Sequence, residues 1–237
     1  MSFGAWLLVA CTTAIAGPAA AQAWQRVSDD EGIRVEIRDV PGQTLPTFRS
    51  IAMVQANIYD IAAVIDDVDR ACQWTARCLG ARTLQRYSDT LKLFYTRTDS
   101  PWPVQDRDAV LRGRATGIAE GQDILIVFEV ARSPLMPEVK DVVRMPRLVG
   151  HYRLTRQADA ATRVEFQVFA DPGGWIPDWL SAQVSRSVPF DTLVGLRKQV
   201  VRMRGKYPEF MEKHVPKPPP PVAAPPVSPP PPAQPAP

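Results

Sequence analysis

The sequence is poor in the residues that hold metals. Its 237 residues include two histidines and three cysteines, and none of them has metal-ligand spacing, which argues against a zinc or iron–sulfur centre. Concentrated charge of one sign is also lacking. The stretch 24–215 carries 27 basic and 25 acidic residues, a net charge of +2, whereas nucleic-acid binding needs a concentrated basic surface. No charge-free run approaches 18 apolar residues, so nothing in the processed chain is expected to span a membrane. Charge is absent altogether from the first 23 residues. Proline is ordinary in frequency until the end, where residues 216–237 hold 13 of the 25 prolines.

These absences divide the chain into 1–23, 24–215 and 216–237. In the first part an apolar stretch opens at Trp6 and ends at Pro18, and Ala21-Gln22-Ala23 has the small-x-small pattern of a signal-peptidase site. This predicts export and a mature start near Trp24, in the periplasm or outside the cell. A second reading stays open: Leu8-Val9-Ala10-Cys11 has the form of a lipobox, with Cys11 acylated and the protein a lipoprotein. In an oxidising compartment Cys72 and Cys78, six apart around Trp74, read as a short-loop disulfide. Two buried free thiols are the alternative. A helix unbroken from 72 to 78 would hold them too far apart to bond, so the disulfide requires a turn. The last part lacks the means to build a core. It reads as a disordered, solvated tail, or as a spacer that docks a Pro-recognising protein partner.

The 192 residues between suffice for one domain with a sizeable core. Alternation predicts strands at 33–38 and 48–55, then 82–87, 91–98, 109–119, 124–132, 142–155 and 163–170. The period changes between Asn57 and Ala76, where an Asn57 cap precedes Ile58, Ile61, Ala62, Ile65 and Val68 at helical spacing. Asp171-Pro172-Gly173-Gly174 ends the last strand. A long helix follows from about Pro177 to Arg204, and Pro189 inside it predicts a bend. This is an α+β pattern. Its antiparallel sheet can bury one face only against the terminal helix, and a gap between them would be an apolar cavity.

Two stretches in that order carry a family resemblance. Pro101-Trp102-Pro103-Val104-Gln105-Asp106-Arg107-Asp108-Ala109-Val110 resembles a signature of START domains, the steroidogenic-acute-regulatory-related lipid-transfer family. Asp171-Pro172-Gly173-Gly174-Trp175-Ile176-Pro177-Asp178-Trp179-Leu180 resembles that family's approach to its last helix. The resemblance covers roughly Trp24–Lys213. It implies a helix-grip (START/Bet v 1-like) fold, a curved sheet around a C-terminal helix. It also implies a tunnel for one lipid or other apolar small molecule, transient membrane contact by a lid, and no cofactor.

Within that frame Tyr95, Phe128 and Phe166 are expected to be cavity or generic core residues on strands. Leu180, Val184 and Val188 share one helix side and are expected to form the cavity floor. Trp102 is either a lid or membrane-touching aromatic or simple loop packing. Arg107 and Asp108 pair or hold that loop. Trp175 and Trp179 flank the helix start, with at least one expected near the cavity mouth. His151 orients a ligand hydroxyl, acts as an acid or base, or is an ordinary strand histidine. The chain also departs from the family. Sterol-carrying members have an acidic–basic pair where a gapless match places Phe94 and Gly113. Phosphatidylcholine carriers have a choline-cradling aromatic where this chain has Thr96. The expected function is therefore binding and carriage of an apolar ligand of unnamed identity, without enzymatic activity. The alternatives are a cyclase- or dehydratase-like enzyme, for which His151 and Tyr152 offer no clustered acid–base pattern, and an envelope interaction module acting through the tail.

Overall fold

The computed structural model describes residues 23–43 and 45–217, and for residues 178–186 it describes the backbone alone. Cys11 and nearly all of residues 1–23 and of the Pro-rich tail therefore lie outside the described residues.

Strand β1 (Gln25–Asp30) pairs with β2 (Ile33–Arg38) through the two-residue turn Glu31-Gly32. Both turn residues have positive φ, 51° and 64°, the conformation that matches the twist of a hairpin. Strand β3 (Thr47–Val54) follows. Helix α1 (Ile58–Asp66) starts where the Asn57 side chain accepts the Tyr59 N–H at 2.9 Å, which satisfies one of the free donors of the first turn. The helix expected through Val68 stops at Asp66. The chain turns at Asp67, and a 3₁₀ segment covers Val68–Gln73.

Six strands come next: β4 (Cys78–Arg86), β5 (Leu91–Thr98), β6 (Asp106–Thr116), β7 (Asp123–Val130), β8 (Val142–Arg144) and β9 (Arg147–Ala158). The single strand expected over 142–155 is two. Pro146 has no N–H for a ladder, so β8 pairs parallel to β6 before the break and β9 joins β7 and β10 after it. Strand β10 (Ala161–Asp171) and helix α2 (Asp178–Met203) complete the grip, and a short helix α3 (Pro208–His214) follows. The sheet order is β1-β2-β3-β10-β9-β7-β6-β5-β4, with β8 beside β6.

Helix α2 runs unbroken through Pro189 and packs on β2, β3 and α1. Its Leu193, Leu196 and Val200 are fully buried against Ile33, Val35, Ile61 and Val64 in one core. That core fills one half of the groove between helix and sheet. Among the described residues no helix is long and apolar enough to cross a membrane.

Candidate functional site

The other half of the groove is hollow, a cavity of about 270 Å³. Side chains alternate along each strand, and one parity faces the hollow: Lys92, Phe94, Thr96 and Thr98 from β5; Leu111 and Gly113 from β6; Ile126 and Phe128 from β7; Leu148 and Tyr152 from β9; Phe166, Val168 and Ala170 from β10. Near the loops 99–105 and 172–177 it is bounded by Thr98, Met145, Ala170 and Val188. Toward the opposite end Ile65, Asp66, Thr90, Ile118 and Phe210 close it.

One wall is aromatic. Tyr152 stacks on its cross-strand partner Phe166 at 4.5 Å between ring centres. Phe48 meets Phe166 edge-on at 6.0 Å, and Phe128 and Trp74 each lie 6.1 Å from Tyr152. Gly150 makes room for this wall. A Cβ there would stand 2.6 Å from the Phe128 ring and 2.5 Å from the Gln167 carbonyl oxygen.

Trp74 comes from the 72–78 loop, which the Cys72–Cys78 disulfide closes. The turn that this bond requires is present: Arg77 has φ 57°, and its guanidinium donates to the Asp99 carbonyl and carboxylate at 3.0 and 2.7 Å. Helix α2 presses on the same loop. Gly195 leaves no room for a Cβ, which would stand 2.1 Å from the Trp74 carbonyl oxygen, and the Thr192 hydroxyl accepts the Ala76 N–H at 3.4 Å.

Of the charged residues in the lining, Lys92 and Asp66 pair with each other, and Arg114 borders the cavity from an exposed position. Lys92 is buried and donates to the Asp66 carboxylate at 2.7 Å and to the Asp66 carbonyl. Arg86 donates to the same carboxylate at 2.8 Å. Burial pushes the Asp66 carboxyl up, but Lys92 and Arg86 more than offset this and hold it below its usual range. Burial in turn lowers the Lys92 ammonium, opposed by Asp66. Two cations around one carboxylate keep Asp66 ionised.

A sheet gripping a helix around an apolar hollow agrees with the family comparison. The START domain model matches residues 16–205. The chain belongs to the START-domain family. This START domain is 32% identical over 193 residues to an uncharacterized protein of Pseudomonas aeruginosa, a match spanning 81% of this chain and 93% of that one. It is 29% identical over 166 residues to bovine (Bos taurus) phosphatidylcholine transfer protein, 67% of this chain and 75% of the relative. The crystal structure of a STAR-related lipid transfer protein from Xanthomonas axonopodis superposes with a TM-score of 0.69 at 32% identity, covering 76% of this chain and 99% of that chain. Membership implies apolar ligand binding, and the START fold supplies the cavity for it.

The START cavity contains Phe128, Phe166 and Val188 of the residues singled out from the sequence. The side chains of Trp179, Leu180 and Val184 lie outside the described residues. Phe94, Gly113 and Thr96, where the chain departs from the family's head-group readers, all face the cavity. Other expectations need correction. Tyr95 has the opposite parity to Phe94. It points to the convex face and packs with Leu93 and Val110 beneath Ala131 and Met136. Arg107, 3% exposed, lines no part of the cavity and instead holds the loops, the second of its two expected roles, by donating to the carbonyls of Gln105, Pro172, Gly173 and Trp175. Asp108 does not pair with it, and instead accepts from Arg144 at 2.6 and 3.0 Å. Trp102 and Trp175 are 90% and 69% exposed and line no part of the cavity.

His151 is on the convex face as well, next in sequence to the inward Tyr152. Its Nε2 lies 3.6 Å from Glu165, beside Arg163. His151 first, then Arg163 and Arg49, draw the Glu165 carboxyl from its usual 4.5 to about 2, against the opposing effect of burial. A lowered folded-state value stabilises fully above the unfolded value and is lost as pH falls through the folded one. Glu165→Gln is therefore expected to destabilise the domain at pH 6 and to match the parent near pH 2. The difference should disappear between about pH 4.5 and 2 in urea unfolding.

Most of the lining escapes sequence reading as site residues, Trp74, Tyr152 and Phe210 among it. Trp74 and Tyr152 stand beside more conspicuous neighbours. Phe210 lies on α3, signalled only by Pro208 at its first turn and by Tyr207, Phe210, Met211 and His214 at helical spacing.

Proposed function

We propose that this START domain carries one apolar molecule with little polar surface between membranes, in an oxidising compartment outside the cytoplasm. The observation that carries this reading is the hollow half of the grip. The strands and helices around it leave it unfilled where close packing is the rule, and its wall is apolar and aromatic, as a pocket for such a ligand is. The Cys72–Cys78 disulfide supports the compartment. Trp102 and Trp175 support membrane contact, since they stand exposed on the two loops that Arg107 joins and indole rings suit a membrane interface. The position of His151 and Glu165 on the outer face supports carriage over catalysis, because their protons are remote from the cavity.

A two-chain phospholipid fits this reading poorly. The cavity of about 270 Å³ lies just below the range for ligand pockets, ~300–1,000 Å³. The relative from cattle is a phosphatidylcholine transfer protein, but here Thr96 stands where such carriers cradle choline. One ring system or one short chain suits the space better. The test is native mass spectrometry of the protein purified from its own envelope fraction. A stoichiometric apolar adduct, released by solvent, is expected. Ligand-free protein that also fails to take up small apolar probes would overturn the reading.

A further inference from the structure

We infer that the ligand carries one neutral acceptor oxygen, a carbonyl or ester oxygen, and that the Tyr152 hydroxyl and the Trp74 indole N–H bind it. The inference rests on the carrier reading and deepens it.

Tyr152 is 7% exposed, lines the cavity and sits at the centre of its aromatic wall. Trp74 is 7% exposed, lines the same cavity, and its buried Nε1 has no partner among the described residues. The two rings meet edge to face, 6.1 Å between centres, in the wall of the one cavity. A buried polar group without a partner costs free energy that a phenylalanine in its place would not. Both groups offer a proton. Indole nitrogen is a donor only, and burial pushes the Tyr152 phenol up, so it keeps its proton throughout the physiological range. An unpaired indole N–H and a phenol lining the same cavity are complementary to an oxygen that only accepts. Neutrality follows from burial: Lys92 and Arg86 are already committed to Asp66, Arg114 borders the cavity from a solvent-exposed position, and burying an unpaired carboxylate away from it is expensive.

The test uses two probes of nearly equal shape, 2-acetylnaphthalene and 2-isopropenylnaphthalene, which differ in C=O against C=CH₂. Calorimetric titration of the full chain is expected to show roughly tenfold tighter binding of the ketone, equal to about 1.4 kcal/mol. Tyr152→Phe and Trp74→Phe should each reduce that ratio, and the double variant should bring it to about one. Affinity for the hydrocarbon should stay unchanged in Tyr152→Phe. Should Trp74→Phe fail to fold, Tyr152→Phe alone decides. Equal affinity of the two probes for the parent chain overturns the inference, as does a preference that survives Tyr152→Phe undiminished. Tighter binding of 2-naphthoate than of the ketone overturns its neutrality. In all three cases carriage itself stands. Binding of neither naphthalene overturns the carrier reading, and this inference with it.

Discussion

Replacement of Arg107 by methionine is expected to destabilise the domain by about 2–4 kcal/mol, seen as a lower midpoint in urea. The side chain is 3% exposed and serves four carbonyls: Gln105 on its own loop, and Pro172, Gly173 and Trp175 on the loop before α2, the last two at 3.1 and 3.3 Å. Burial lowers its pKa, but the guanidinium stays charged. Methionine keeps the packing of the stem and leaves the carbonyls without their charged donor. The consequence for function is larger than the stability loss. Arg107 is the only described side chain donating to the 173 and 175 carbonyls, so its removal frees the loop that carries exposed Trp175 from the loop that carries exposed Trp102. Binding to lipid vesicles should weaken together with stability. Arg107→Lys should recover little of either, because one ammonium cannot span acceptors arranged around a planar fork. A variant with parental stability would show that the carbonyls are served by water.

The sheet and the helix of this grip were legible because their patterns are local. In β10, Val164, Phe166 and Val168 all face inward as alternation requires. In α1, Ile58, Ile61, Ala62 and Ile65 are all buried. Strand β1 and helix α3 were not legible. β1 shows neither face buried, and α3 is a seven-residue helix with no fully buried residue. The cavity wall was harder still, for a physical reason. Alternation separates two faces but does not say which is concave. On β5 the apolar pair Leu93 and Tyr95 looks like the core face, yet it is covered on the convex side by the 131–136 segment. The face with Lys92, Thr96 and Thr98 looks solvated, yet it lines the hollow. The same inversion separates His151 from Tyr152. A sequence shows which residues want burial. Burial beneath a loop and burial around a ligand leave the same pattern.

That ambiguity makes Thr96 the most informative position in the wall. Thr96→Phe is expected to lower affinity for 2-acetylnaphthalene at least thirtyfold, about 2 kcal/mol, while raising stability by about 1 kcal/mol. Thr96 faces the cavity on β5, and its lateral neighbours in the sheet are the small Ala81 on β4 and Ala109 on β6. A ring added there has room, meets Phe94 and Leu111 nearby, and suits a strand. Phenylalanine is preferred to tryptophan for the test because it brings no polar atom needing a partner. In a solid core the same change would overpack and destabilise by about 1–3 kcal/mol. In a hollow kept for a ligand it removes apolar surface from water and excludes the ligand. The two signs together, lost binding with gained stability, are what a functional cavity predicts and what a packing defect away from the site does not. Leu79→Trp, at a position 54% exposed on the neighbouring strand, should alter neither quantity. Loss of stability in Thr96→Phe with binding intact would place the ligand elsewhere on the domain.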